Sequence, residues 1–258
     1  MIETAHCFFQ LVGRELKLFF QDFFNRFLDI SLVLITWVIV FGYLMEQSGL
    51  DSSYGVFVLV GLLSSFGLFE TLWRATLLAQ DMSDKKLSNF LVLPLPSWLV
   101  FVSIAFSWAL STGILTLCLF PVGKLLLWKS FHLSEIAPMR FCLMFVLSNL
   151  FYGVFALWIA SLVTSLRNSS WLWTRVVNPL YMFCGFFYTW QSVYELSPWI
   201  GYLHLVNPLL YILEGTKACM LGQAGYLPFG ICVFVIIVWI IFCLVDAIRR
   251  CKRRLEFV

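Results

Sequence analysis

Residues 141–166, FCLMFVLSNLFYGVFALWIASLVTSL, decide the fold class of this chain, because they contain no Asp, Glu, Lys or Arg. A helix needs about 20 mostly apolar residues to cross the hydrocarbon core of a bilayer, and it satisfies its own backbone hydrogen bonds there. The stretch therefore predicts a transmembrane helix. Six further stretches lack these charged residues in the same way: 30–45, 52–69, 87–123, 176–194, 196–213 and 218–245.

The composition of the whole chain agrees with this interpretation. Of its 258 residues 61% are hydrophobic and 12% are charged, whereas a soluble domain carries about 25% charged residues. We predict an all-α membrane protein with six transmembrane helices, an N-terminal amphipathic interfacial helix and a broken re-entrant helical segment before the last span. The predicted spans are about 30–46, 53–73, 98–121, 140–164, 172–190 and 226–246.

Residues 8–29 have a different pattern, since polar side chains recur every three or four positions and phenylalanines fill the opposite face. This periodicity is typical of an amphipathic helix. We expect residues 1–29 to lie at the cytoplasmic membrane surface, and the alternative is a helix packed on the protein itself. Residues 30–258 then form the transmembrane domain.

The run 196–213 is long enough to cross a membrane but contains Pro198, Gly201, His204, Asn207 and Pro208. Proline interrupts helical hydrogen bonding, and broken helices occur at membrane depth only where protein or a water-filled cavity covers them. We therefore expect residues 191–222 to form two short helices at one face of the bilayer.

The distribution of basic residues predicts an orientation. With six spans, thirteen of the 17 Lys and Arg residues fall on the side that holds both termini, including the basic tail 247–258. Cytoplasmic loops carry the excess of Lys and Arg, so both termini are expected in the cytoplasm. The loop 122–139, with Lys124 and Lys129, argues against this orientation.

The sequence contains no arrangement typical of a catalytic, cofactor-binding or metal site. Gly123-Lys124 lacks the residues that a phosphate-binding loop requires, so no ATP site is expected in this chain. The remaining candidate functional residues are charged residues near the ends of the predicted spans. Glu70 and Arg74 form either an interfacial ion pair or a mechanical element, and Glu214 and Lys217 are spaced as an ordinary i,i+3 pair.

The order of these elements resembles the membrane permease subunits of type 2 ABC exporters, the ABC-2 transporter family. Two regions carry the resemblance: Glu70 to Arg74 continuing to Leu93-Pro94-Leu95-Pro96, and Leu196-Ser-Pro198-Trp199 followed by Asn207-Pro208-Leu209-Leu-Tyr211, Glu214, Lys217 and Gly222. The chain departs from the family where Lys217 replaces a commoner arginine, and where no proline follows Gly185-Phe-Phe-Tyr188.

The resemblance implies a coupling segment at about 75–97 that contacts a separate ATPase subunit, and an outer re-entrant segment at about 191–222. The implied ATPase-coupling residues are Asp81, Asp84, Lys85 and Lys86, the coupling-region ion pair is Glu70 and Arg74, and the outer motif consists of Pro198, Asn207, Pro208, Glu214 and Lys217.

Two permeases, identical or paired, would bind two copies of the ATPase, which would hold ATP and Mg. The implied location is a bacterial inner membrane, with lipid but no nucleic acid as a further partner. The expected cargo is an amphipathic or saccharide-containing substrate, which is a lipo-oligosaccharide, a polysaccharide, a lipid or a drug. A stand-alone channel or carrier, or a lipid-modifying membrane enzyme, is the alternative.

Overall fold

The computed structural model describes residues 2–49, 51, 53–83, 96–132, 136–163 and 173–256. Within these ranges every regular element is a helix. The helices are α1 (Ile2–Gln21), α2 (Phe23–Ile39, extended by the π-helical turn Val40–Leu44 and by Met45–Gln47), α3 (Tyr54–Ser83), α4 (Ser97–Leu126), α5 (Pro138–Leu162), α6 (the π-helical turn Trp173–Val177 and Asn178–Met182), α7 (Trp190–Leu196), α8 (Pro198–His204), α9 (Pro208–Met220) and α10 (Phe229–Glu256).

Five described helices are long and apolar enough to cross a membrane, and the chain is a multi-pass membrane protein. They cover Phe23–Gln47, Tyr54–Met82, Trp98–Leu126, Pro138–Leu162 and Phe229–Arg253. In the predicted span 172–190, helix is described only over α6, and residues 164–172 lie outside the described ranges. After Met182 the chain bends, and Gly185 adopts a φ of +79°. The apolar run thus continues through a non-helical segment, which hydropathy alone cannot distinguish from helix.

The two most central helices are α3 and α5. Helix α3 packs against α2, α4, α5 and α9, and α5 packs against α3, α4, α9 and α10. In the apolar window of α3, 83% of the residues are buried, against 22% in the windows of α2 and α10. The rest of the described chain therefore leaves most of the apolar surface of the peripheral helices α2 and α10 uncovered.

Small residues allow the backbones of α4 and α5 to approach closely. A Cβ atom added at Gly153 of α5 would lie 2.3 Å from the carbonyl oxygen of Ala105 in α4. A similar contact joins α2 to α3, since a Cβ at Gly55 would lie 2.6 Å from the Cα of Gly42. Membrane helices associate mainly through packing, so these contacts fix the interhelical distances.

The N-terminal helix has features of both predicted arrangements, a helix at the membrane surface and a helix packed on the protein itself. Helix α1 packs on α4, burying Val12 and Phe19, while Phe9 and Phe20 are 66% and 55% exposed. One stripe of α1 therefore contacts the protein and another is available to the membrane surface. The two helices meet at Asp22, whereas the sequence pattern placed the change of character at Asp29.

The broken segment contains three helices rather than the two expected. Pro198 and Pro208 occupy the first positions of α8 and α9, where the missing N–H costs no hydrogen bond. Each proline therefore starts a new helix, and α7 precedes them both. Beyond this segment, α10 continues without interruption into the basic tail as far as Glu256.

Candidate functional site

Helix α9 is the most completely enclosed of the short helices. Every residue from Pro208 to Met220 is buried, and α9 packs against α3, α5 and α10. Two charged residues lie within it, Glu214 with 1% and Lys217 with 0% of their surface exposed. Buried charges are costly unless polar groups satisfy them, so the partners of these two residues define what they do.

Asn207 begins α9 and connects it to α6. Its side-chain oxygen accepts a hydrogen bond of 3.0 Å from the backbone N–H of Leu209, which is an N-cap. Its side-chain amide donates a hydrogen bond of 2.6 Å to the carbonyl oxygen of Leu180. The Asn207-Pro208 pair therefore sets both the start of α9 and its attachment to the end of α6.

Glu214 connects two segments that flank α9. Its Oε1 accepts a hydrogen bond of 2.9 Å from the backbone N–H of Trp190, the first residue of α7. Its Oε2 accepts one of 3.0 Å from the backbone N–H of Leu227, just before α10. Close by, burial and the Glu214 carboxylate raise the pKa of Tyr226 to about 12.

Lys217 holds the bend that follows α6. Its ammonium donates hydrogen bonds of 2.7 and 3.3 Å to the carbonyl oxygens of Gly185 and Phe186. It also lies 3.4 Å from the centroid of the Phe57 ring in α3, a cation–π contact. We call Asn207, Glu214 and Lys217 the α9 anchor, because together they bind α6, the bend before α7 and the segment before α10.

The α9 anchor differs from the i,i+3 ion pair that the spacing suggested. Within this described region, Glu214 and Lys217 make no ion pair of 4.0 Å or less, and each binds backbone groups of another segment. The two side chains lie one turn apart on α9, but each forms hydrogen bonds with the backbone of a neighbouring segment instead of an ion pair with the other.

Helices α7 and α8 pack against each other near the α9 anchor. The indole N–H of Trp190 donates a 2.9 Å hydrogen bond to the carbonyl oxygen of Gly201. His204 has one ring nitrogen 2.7 Å from the carbonyl oxygen of Ile200 and the other 3.0 Å from the hydroxyl of Tyr188. Pro198 contributes to this region by starting α8.

A second cluster of charged residues lies just past the middle of α3. Glu70 Oε1 accepts hydrogen bonds of 3.1 and 3.0 Å from Arg74, one turn later on α3, and a further bond from Arg26 of α2. Arg26 also donates a 3.0 Å bond to Asp22 at the break between α1 and α2. We call Asp22, Arg26, Glu70 and Arg74 the ionic junction.

The ionic junction borders a cavity of about 330 Å³ between α1, α2, α3 and α4. The guanidinium of Arg74 lies 5.3 Å from the centroid of the Phe19 ring in α1, so the junction also contacts the first helix. Asp81 lines the same cavity. Asp84, Lys85 and Lys86 lie outside the described residues, and the coupling roles of all four remain predictions.

Sequence reasoning missed Arg26 and Asp22 as members of this cluster. Their i,i+4 spacing was a usable signal, because residues four apart share a helix face. It also missed the bond of 2.8 Å from the Trp158 indole N–H to Asp246, which accepts a second bond of 2.6 Å from Arg250. That contact joins α5 to α10 beside the basic tail.

A cavity of about 610 Å³ lies between α6 and α8, and we call it the α6–α8 groove. Large apolar side chains around it are exposed, including Leu203 at 70% and Val206 at 69%. The lining residues are Arg175, Val176, Pro179, Leu180, Phe183, Ile200, Leu203, His204, Val206 and Asn207.

The comparisons with known proteins bear on this architecture as a whole. The family model described as ABC-2 type transporter matches residues 6–221, which include the ionic junction and the α9 anchor. A comparison with curated proteins gives no match. Because the model covers most of an all-helical, multi-pass chain, the protein belongs to the ABC-2 type transporter family of membrane permease subunits.

Proposed function

We propose that this chain is the membrane permease of an ATP-driven exporter that moves an amphipathic or saccharide-containing substrate out of the cytoplasm. The family match over residues 6–221 carries the proposal. Permeases of this family normally pair with an ABC ATPase subunit. In the proposed assembly, two permease chains bind two ATPase subunits, and ATP and Mg are held by the ATPases.

The ionic junction supports a mechanical role for α3. Glu70 and Arg74 have only 11% and 13% of their side-chain surface exposed, and Arg26 joins them from α2. A force applied to the segment after α3 is therefore carried to α1 and α2 through charged contacts that lie largely out of water. We propose that the coupling segment, about 75–97, receives this force from the ATPase through Asp81, Asp84, Lys85 and Lys86.

The proposed orientation places both termini in the cytoplasm of a bacterium, with the chain in its inner membrane. The excess of Lys and Arg on the side of the termini supports it. The α9 anchor then lies toward the outer face and the ionic junction toward the cytoplasmic face.

The test is co-purification with an ATPase encoded beside this chain. The full-length permease, tagged and solubilised in detergent, is expected to retain that ATPase, and the Asp81→Lys/Asp84→Lys variant is expected to lose it. Glu195→Lys is the control, because Glu195 is exposed and its described hydrogen bond comes from Gln191 on the same helix. Full ATPase retention by the double variant, or substrate flux in liposomes from this chain alone, would contradict the proposal.

A further inference from the structure

The α6–α8 groove has the size of a ligand site. Its volume of about 610 Å³ lies within the roughly 300–1,000 Å³ typical of small-molecule pockets. Its walls are formed mainly by apolar side chains, of which Phe183 is 55% and Ile200 45% exposed. The groove opens on the surface of the protein at the level of α6, so a ligand can reach it from the side.

Two of the three polar side chains that line the groove are already bound to protein. Both ring nitrogens of His204 lie within hydrogen-bond distance of Ile200 or Tyr188, and the amide of Asn207 binds Leu180 and Leu209. The third is Arg175, which is exposed. No hydrogen bond or ion pair joins Arg175 to any residue in the described ranges. The groove therefore offers a ligand one permanent positive charge and an apolar surface.

We infer that the α6–α8 groove binds an anionic amphiphile, with an acyl chain along the apolar wall and one negatively charged headgroup at Arg175. This inference rests on the proposed function and narrows its substrate to the lipid class. A saccharide would need several free donors and acceptors to replace the water around its hydroxyl groups. The polar atoms of His204 and Asn207 are not free to supply them.

The position of Arg175 agrees with the orientation of a lipid. Arg175 lies in the first turn of α6, and with a rise of about 1.5 Å per residue the helix extends roughly 10 Å further to Met182. In the proposed orientation Arg175 is at the cytoplasmic end of α6. A lipid with its headgroup beside Arg175 would thus direct its chain along α6 toward Phe183 and Leu203.

The experiment is photo-crosslinking of the full chain in nanodiscs of phosphatidylcholine. One sample contains a trace of phosphatidic acid with a diazirine in its acyl chain, and a second contains phosphatidylcholine with the same labelled chain. Labelled peptides are identified by mass spectrometry. We expect labelling within 176–183 and 200–206, about tenfold stronger for phosphatidic acid, as charge-assisted contacts of this kind allow.

Two variants and one control test whether labelling depends on Arg175 and on the groove itself. Arg175→Gln is expected to abolish the preference, so that phosphatidic acid and phosphatidylcholine label the groove about equally, while labelling with phosphatidylcholine persists. Leu203→Trp, which fills the groove, is expected to reduce labelling by both lipids. The control Arg249→Gln removes an exposed arginine from α10 and is expected to leave the preference unchanged. Size-exclusion chromatography and thermal melting establish that each variant is folded.

Equal labelling by the two lipids, labelling confined to other segments, or an unchanged preference in Arg175→Gln would overturn the inference. A second copy covering the groove would also overturn it. It would appear as bis-maleimide crosslinked dimers of Leu203→Cys without lipid labelling, in a chain whose exposed Cys118 and Cys142 are replaced by serine. Co-purification of the ATPase from the same preparation separates the two proposals. If the ATPase is retained but the groove is not labelled, only the lipid site is wrong, and the reverse result contradicts the proposed function.

Discussion

Glu214 and Lys217 lie one turn apart on α9, yet each binds the backbone of a different flanking segment. Glu214 accepts hydrogen bonds from the N–H groups of Trp190 and Leu227, and Lys217 donates to the carbonyl oxygens of Gly185 and Phe186. Backbone groups thus satisfy the hydrogen-bonding needs of both buried charges. One buried helix in this way fixes the ends of three neighbouring segments.

Replacing Lys217 with methionine should destabilise the chain. The apolar side chain fills a similar volume, but the carbonyl oxygens of Gly185 and Phe186 lose their described donor. A buried polar group without a partner costs about 1–3 kcal/mol, and we expect a loss of that size in the free energy of unfolding in detergent. Lys129→Met makes the same chemical change at an exposed position and should cost less than about 0.5 kcal/mol. Equal effects of the two substitutions would contradict the role assigned to Lys217.

The contact between Arg26 and Glu70 should be energetically coupled. A double-mutant cycle with Arg26→Gln and Glu70→Gln is expected to give an interaction free energy of about 0.5–3 kcal/mol, the range for residues in one charged network. The comparison cycle pairs Arg26→Gln with Asp22→Asn. The side chain of Asp22 is 51% exposed against 11% for Glu70, so its coupling should be smaller, about 0–1 kcal/mol. A larger coupling to Asp22 would show that Asp22, and not Glu70, is the main partner of Arg26.

Gly153 should not tolerate even a methyl group. Alanine at this position would place its Cβ 2.3 Å from the carbonyl oxygen of Ala105, so α4 and α5 must separate, and overpacking typically costs about 1–3 kcal/mol. Gly13→Ala is the matched control, because nothing lies within 4 Å of its added Cβ. That change should stabilise α1 by about 0.5–1 kcal/mol. Thermal unfolding of both variants measures the difference, and a neutral Gly153→Ala would mean that the helices are less tightly packed.

Replacing Asn207 with alanine should loosen the start of α9. The loss of an N-cap costs about 0.5–2 kcal/mol, and the carbonyl oxygen of Leu180 loses a donor as well. Amide hydrogen exchange at Leu209 and Leu210 should accelerate in this variant. Asn25→Ala is the control, since Asn25 is exposed and donates only to Asp22 among its described hydrogen bonds. Unchanged exchange at α9 would contradict the capping role.

Much of the architecture could be predicted from the sequence because it depends on local properties. Charge-free runs marked α3, α4, α5 and α10, since length and hydropathy suffice to identify a membrane-spanning helix. Prolines marked the starts of α8 and α9 for an equally local reason. The end of α6 at Met182 could not be predicted in this way, because the bend depends on carbonyl groups that Lys217 binds from a distant helix.

The contacts of the candidate sites were largely beyond sequence reasoning. Arg26 and Glu70 are far apart in the chain, and only the packing of α2 on α3 brings them together. The contacts of Lys124 could not be predicted from the sequence either. Its positive charge in the loop 122–139 argued against the orientation that places both termini in the cytoplasm. In the structure Lys124 donates to the carbonyl oxygens of Trp128 and Phe131 just beyond α4. These bonds hold the turn that follows α4, so Lys124 has a structural reason to be there.

Helix α3 gives the protein a mechanical property that depends on stiffness. Its 30 residues form one uninterrupted helix about 45 Å long. Just past its middle, Glu70 contacts Arg26 of α2 and Arg74 contacts Phe19 of α1. In its first turn Phe57 lies beneath the Lys217 ammonium, and Tyr54 donates to the carbonyl oxygen of Phe187. A tilt of α3 imposed near Arg74 would therefore reach the bend after α6 as a rigid rotation, because the helix between Arg74 and Phe57 is unbroken.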